Sequence, residues 1–230
     1  MPEAASRNGA QNRVLTRLAR ADLALLKPDL IALDLPIFTR LEKPETRIDT
    51  VYFLATGFAS VVADGLGRRT IEVGIIGREG MTGISVVLGH DRARHETYIQ
   101  VAATGHCISA AKLRVAMAES ASLHRSFLRC AHAFLLQTAE TAITNGRSKN
   151  EERLARWLLM AHDRIDGQDV PLSHKLLAVM LGVHRPAVTV AVHALERRGL
   201  IKPGRESITI LNRRGLVAFS KGAYVAPEPL

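Results

Sequence analysis

Arg185, Thr189 and His193 recur at every fourth residue. On a helix that spacing puts all three on one face. Lys202 and Arg205 follow within a short stretch around Pro203-Gly204. An arginine near a helix N-terminus can donate two hydrogen bonds to the O6/N7 edge of guanine. Basic side chains on a turn can pair with phosphate, which fixes register and gives affinity without reading sequence. The chemistry these residue types offer is recognition of nucleic acid, with no bond made or broken.

The elements that must carry them are legible in Leu172–Glu196, LSHKLLAVMLGVHRPAVTVAVHALE. Ser173 suits an N-cap, since its hydroxyl can accept an orphan first-turn N–H. Leu176, Leu177, Met180 and Leu181 give the first helix an apolar face. Gly182 tolerates positive φ and suits the turn at Gly182-Val183-His184. The second helix is expected from about Arg185 to Arg198. Pro186 falls in its first turn, where a missing N–H does no harm. Val188, Val192 and Leu195 form its buried face, and Gly199 ends it. Ile201–Glu206 and Ser207–Leu211 then predict two short strands around a basic turn. The layout is a helix-turn-helix with a wing, whose second helix enters the major groove by its N-terminal end. An ordinary αα-hairpin is the plain alternative for the helical part.

The chain has 230 residues and a formal charge of +9. Residues 1–110 hold 13 basic against 12 acidic side chains, residues 111–148 hold 5 against 2, and residues 149–230 hold 13 against 8. The excess therefore gathers beside the helix-turn-helix, as nucleic-acid binding requires. A solubilising surface would leave the same charge. Apolar residues make up 47% and aromatic ones 4%, so an aliphatic core is expected. Cys107 and Cys130 make neither a disulfide framework nor a CxxC pair. The polar opening MPEAASRNGAQNR lacks a signal-peptide core, and no apolar run reaches the length of a membrane span. A cytoplasmic protein with reduced thiols is expected.

Residues 1–12 read as disordered and Val14–Leu26 as one helix. Strands are expected at Val51–Leu54, Phe58–Ala63, Arg69–Ile76, Thr97–Ala103 and His106–Ala110, with hairpin turns at Thr56-Gly57 and Asp64–Gly67. Short strands so spaced suggest a small sandwich or barrel. Ala111–Glu119 reads as a helix, Ser120–Ser122 as a break, and Leu123 to Asn145 as one long helix. Phe127, Ala131, Phe134, Thr138 and Ala142 form a stripe that could pack on the chain's own body or on a second copy. Gly146–Asn150 reads as a hinge, and Ser148–Glu151 has the S-x-x-E form of a capping box.

The stretches VYFLATGFASVV, IGREGMTG, EERLARWLLMAHDR, LSHKLLAVMLGVHRPAVTVAVHALERRGLI and ITILNRRGL resemble those of the Crp/Fnr family of transcription regulators, over about residues 35–220. The resemblance implies an α+β chain: a cyclic-nucleotide-binding-like β-roll (jelly roll) at 14–110, a dimerisation helix region at 111–148 and a winged helix-turn-helix at 149–222. It implies a homodimer on a near-palindromic operator in double-stranded DNA, with RNA polymerase as a partner and no membrane. The base-reading positions map onto Arg185, Pro186 and Val190. The expected DNA-contacting set is Ser173, His174, His184, Arg185, Pro186, Thr189, Val190, Lys202 and Arg205.

The family's ribose-holding element maps onto Gly80-Met81-Thr82-Gly83 and its phosphate-binding pair onto His95-Glu96-Thr97. A phosphate pocket needs donors and positive charge, and Glu96 brings the opposite sign. The expectation is a sensor not governed by cyclic AMP, with effector unknown. Two cysteines cannot ligate an iron–sulfur cluster of the usual kind. Haem would need an axial ligand from among His90, His95, His106 and Cys107. Cys130 offers either a redox switch on the long helix or a small buried hydrophobe.

Two other classes compete with this reading. One is a metal-dependent hydrolase using His90, His95, Glu96 and His106, although no HExxH, nucleophile elbow or phosphate-binding loop accompanies them. The other is a ligand-binding signalling module whose winged helix docks protein.

Overall fold

The structure is a computed structural model that describes residues 11–64 and 70–226, without the side chains of His174 and Lys175. The Gly65–Gly67 part of the expected hairpin loop and the first ten residues of the expected disordered tail lie outside it. The chain runs α1 (Arg13–Arg17), α2 (Arg20–Leu26), a 3-10 turn (Lys27–Asp29), β1 (Ile31–Leu35), β2 (Arg40–Glu42), β3 (Thr50–Leu54), β4 (Phe58–Asp64), β5 (Thr70–Ile76) and the short α3 (Ile84–Val87). β6 (Glu96–Val101), β7 (Ala103–Ser109), α4 (Ala110–Glu119), α5 (Ala121–Arg147) and α6 (Asn150–His162) follow. The chain ends with β8 (Asp169–Pro171), α7 (His174–Leu181), α8 (Arg185–Glu196), β9 (Ile201–Pro203), β10 (Ser207–Ile210) and α9 (Arg213–Phe219).

The first seven strands make two antiparallel sheets, ordered β1-β7-β3 and β2-β6-β4-β5. Leu35, Leu54, Ala59, Ile99 and Ala103 form one apolar cluster of this β-roll. β4 is buried from Phe58 through Val62 with no alternation. A strand covered on both faces shows this pattern. Phe58 and Ile75 belong to the same core cluster as α6, α7 and α8, and the Phe58 and Trp157 rings meet edge to face with centroids 6.2 Å apart. The winged helix therefore packs directly on the sheet of the β-roll.

Asn12 corrects the expected disordered start. It is buried, its carboxamide oxygen caps α1 by accepting from Val14 N and Leu15 N, and its amide donates to Leu54 O at 2.9 Å and Gly80 O at 2.8 Å. The expected single helix over 14–26 is two, because Leu18 and Ala19 take extended backbone. The expected long strand ending at Ala103 breaks after Val101, and Ala103 opens β7.

α5 begins where Ser120 caps it, accepting from Leu123 N at 3.2 Å. Its 27 residues span about 40 Å. Phe127 and Ala131 are buried, and Phe127 lies against Phe53 with centroids 5.9 Å apart. Gln137 extends the edge of β5 like a backbone unit, accepting from Ile75 N at 2.7 Å and donating to Ile75 O at 3.1 Å. Gly74 permits this approach, since a Cβ there would lie 2.8 Å from the Phe134 ring. Phe127, Ala131 and Phe134 thus pack on the chain's own body. The outward face is a different row, which takes in only Ala142 of that stripe: Leu128, His132, Leu135, Ala139 and Ala142 are all exposed, at alternating four- and three-residue spacing.

The break between α5 and α6 falls at Ser148-Lys149, and Gly146 is still helical. The expected capping box at Ser148–Glu151 sits one residue further on. Lys149 N donates to the Glu152 carboxylate at 3.1 Å, and Glu152 also pairs with Lys221 at 2.7 Å. The third strand of the wing sheet, β8, was not expected; β10 lies between β8 and β9.

Candidate nucleic-acid interface

α7 starts as its cap residue dictates: the Ser173 hydroxyl accepts from Leu176 N at 3.4 Å. Gly182 ends it at φ +60°. A Cβ there would also lie 2.8 Å from Ile71 Cδ1 of β5, so the turn needs glycine for conformation and for space. α8 buries Val188, Ala191, Val192 and Leu195, packing against α6 and α7. His184 precedes the helix, and Arg185 and Pro186 open it.

The opposite side of α8 is open. His184, Arg185, Pro186 and His193 are exposed, and Val190 is 67% exposed. Thr189 is half-buried and its hydroxyl donates back to Arg185 O at 3.3 Å. His193 Nδ1 lies 3.0 Å from the Glu196 carboxylate, which occupies it within its own helix. The Arg185 guanidinium has no hydrogen bond or ion pair among the described residues. It stands beside the unsatisfied N–H groups of the first turn, whose dipole favours an anion.

The wing follows from β9 and β10, which pair Thr209 with Lys202 and Ile210 with Ile201. Gly204 N donates to Ser207 O at 2.7 Å and closes the turn. Lys202, Arg205 and Glu206 are exposed. Neither basic side chain is paired among the described residues. Of the nine expected contact residues, Arg185, Pro186, Val190, Lys202, Arg205 and His184 are open to solvent, while Ser173 serves as a cap. The His174 side chain lies outside the described residues.

The residues of the expected effector pocket stand in different settings. Met81 and Thr82 are buried, and the Thr82 hydroxyl accepts from Tyr52 N at 2.9 Å. His95 is exposed, and Glu96 pairs with Arg40 at 2.5 Å. Gly83 and Thr97 do converge, but on a residue the sequence did not single out. Glu42 Oε1 accepts from Gly83 N at 2.7 Å and Glu42 Oε2 accepts from the Thr97 hydroxyl at 2.8 Å. Burial pushes the Glu42 carboxyl pKa up, and these two hydrogen bonds pull it back. No local signal marks Glu42, because its partners lie 41 and 55 residues away.

His90, His95, Glu96 and His106 do not gather. Among the described residues no group of three His, Cys, Asp or Glu side chains could hold a metal ion, and no helix is long and apolar enough to cross a membrane. Cys130 is buried and its thiol pKa is pushed up to about 12 by burial. At neutral pH it is a protonated, poorly nucleophilic group.

Residues 152–219 match the family model of the Crp-like helix-turn-helix domain. No curated protein matches the chain by sequence. Solved structures match along nearly the whole fold. A transcriptional regulator of the Crp/Fnr family from Eubacterium rectale superposes with a TM-score of 0.71 at 17% identity, covering 91% of this chain and 98% of the other. FixK2 from Bradyrhizobium japonicum gives 0.71 at 17% identity, covering 86% and 99%. The c-di-GMP-responsive regulator CLP from Xanthomonas campestris gives 0.66 at 17% identity, covering 84% and 99%.

Proposed function

We propose, for a chain that carries a Crp-like helix-turn-helix domain on the fold of the Crp/Fnr regulators, that it is a sequence-specific, homodimeric transcription regulator not controlled by cyclic AMP. We assign residues 14–110 to the sensor, 111–148 to dimerisation and 149–222 to DNA binding. One observation carries the assignment: the open N-terminal end of α8 presents an unpaired Arg185, and the same domain presents unpaired Lys202 and Arg205 on its wing. Arg185 is assigned to a guanine edge and the two wing cations to phosphate.

Homodimerisation is supported by Leu128, His132, Leu135, Ala139 and Ala142. Their alternating spacing is that of a coiled-coil seam, and their exposure leaves them uncovered in a single copy. Two copies joined there would bring two reading helices to a near-palindromic operator. Independence from cyclic AMP is supported by Glu42, whose carboxylate already takes the Gly83 and Thr97 donors. A second anion there would meet a like charge. The protein is assigned to the cytoplasm, with RNA polymerase as its partner on DNA.

A gel shift against genomic fragments over a salt series tests the assignment. Several phosphate contacts per subunit should cost about 10³ or more in affinity between 50 and 200 mM salt. Absence of any shifted fragment would leave the winged helix as a protein-docking module.

A further inference from the structure

β5, α5 and α6 line a partly open cavity of about 200 Å³, bordered on one side by Val225 and Ala226 of the C-terminal segment. Gly80 and Met81 reach its wall, but neither Glu42 nor any residue of 95–97 does. It is therefore a different place from the one Glu42 occupies. Ile76, Met81, Ile84, Phe134 and Met160 make much of the lining apolar. Among the polar lining groups, Arg164, Glu79 and Gln137 are already satisfied. Arg164 Nε donates to Glu79 at 2.8 Å and its Nη1 to Met160 O at 2.6 Å. Gln137 is held by both backbone atoms of Ile75.

Arg156 differs from them. It is only 7% exposed, and its Nη2 donates to Thr141 Oγ1 at 3.1 Å and Gln137 O at 3.4 Å, both neutral acceptors. It makes no ion pair among the described residues. Glu140 and Glu72 attract it only at longer range. A buried guanidinium without a counter-ion is costly, and its planar fork suits a carboxylate. Glu140 also lines the cavity, but it is half-exposed, so water screens its charge.

We propose that this cavity binds a small carboxylic acid with an apolar tail, the carboxylate on Arg156 and the tail among Met81, Ile84, Phe134 and Met160. A cavity near 150 Å³ accepts the six carbons of benzene, so about 200 Å³ suits roughly eight non-hydrogen atoms, and the open side of the cavity admits a slightly longer acid. Such an occupant touches the sensor, the long helix and α6 at once. α6 also supports α8, so the ligand reports to the reading helix. The site goes beyond the DNA-binding assignment and can be tested without DNA.

Calorimetry on the full chain with octanoate, octanol and octylamine decides it. Octanoate should bind about tenfold or more tighter than octanol, the usual margin for a charge-assisted hydrogen bond. Arg156→Gln should bring octanoate down to the octanol level. Ala133→Trp should fill the cavity and abolish binding of both, with circular dichroism unchanged. Should Arg156→Gln fail to fold, Arg156→Lys replaces it, and the preference for octanoate should shrink without vanishing. Equal binding of octanoate and octanol, tightest binding of octylamine, no binding at millimolar concentration, or a preference untouched by either Arg156 change would overturn the proposal.

Discussion

The Trp157 indole N–H donates to the Glu72 carboxylate at 2.5 Å, across the boundary between the β-roll and the winged helix. Glu72 lies on β5 and Trp157 on α6, so the bond ties the two halves of the protein. The Ser60 hydroxyl donates to the other Glu72 oxygen at 2.5 Å, and the Gln100 side chain lies against the same hydroxyl. Burial pushes the Glu72 pKa from 4.5 to about 7, despite the hydrogen bonds from Ser60 and Trp157 and the positive charges of Arg156 and Arg164.

The pH dependence of stability follows from that shift. The folded state binds the Glu72 proton more tightly than the unfolded chain does. Its contribution is therefore fully present below pH 4.5 and is lost as pH rises through about 7. The loss amounts to about 3 kcal/mol. Glu72→Gln keeps an acceptor for Trp157 and removes the charge. Urea melts should show the variant more stable than the parent at pH 8, with the difference shrinking toward pH 5. Parallel stability curves for the two proteins would refute this.

The two sides of α5 should respond differently to substitution. Leu135 is 64% exposed, so Leu135→Glu should cost little folding stability and should separate the proposed dimer. Phe127 is fully buried against Phe53, so Phe127→Ala should cost about 3–5 kcal/mol. Analytical ultracentrifugation and thermal melting read the two effects. A Leu135→Glu protein that stays dimeric would remove this face from the interface.

Arg185 should set sequence preference. Arg185→Ala is expected to cost about 1–3 kcal/mol on the cognate site and to relax one base pair per half-site. Lys202→Ala and Arg205→Ala should weaken all sequences alike and lower the salt slope by about one per lost contact. Binding-site selection on parent and variant separates the cases. Superimposable logos for Arg185→Ala would make it a phosphate contact.

Cyclic AMP should leave operator affinity unchanged. Glu42 holds the two donors that the mapped segments bring together. Glu42→Ala frees both and removes the negative charge. Calorimetry should detect no micromolar cyclic-AMP binding to the parent; such binding, coupled to tighter operator binding, would count against an occupied site.

The helix-turn-helix was legible in the sequence because its determinants are local. Ser173, Gly182 and Pro186 act within a few residues of themselves, and Val188, Val192 and Leu195 announce a buried face by spacing alone. Strands β3, β4 and β5 were legible for the same reason. The outward face of α5 was not. Apolar residues lie on more than one side of the helix, so periodicity left the stripe of Phe127, Ala131 and Phe134 open between the chain's own body and a second copy, and only packing against Phe53 and Gly74 turned those inward. Glu42 and Asn12 were invisible likewise, since each acts on atoms tens of residues away. The docking of the winged helix on β4 and β5, with Glu72 and Trp157 at its centre, was decided by tertiary structure alone. Sequence fixes which residues can be buried, but which surface buries them depends on contacts between distant segments.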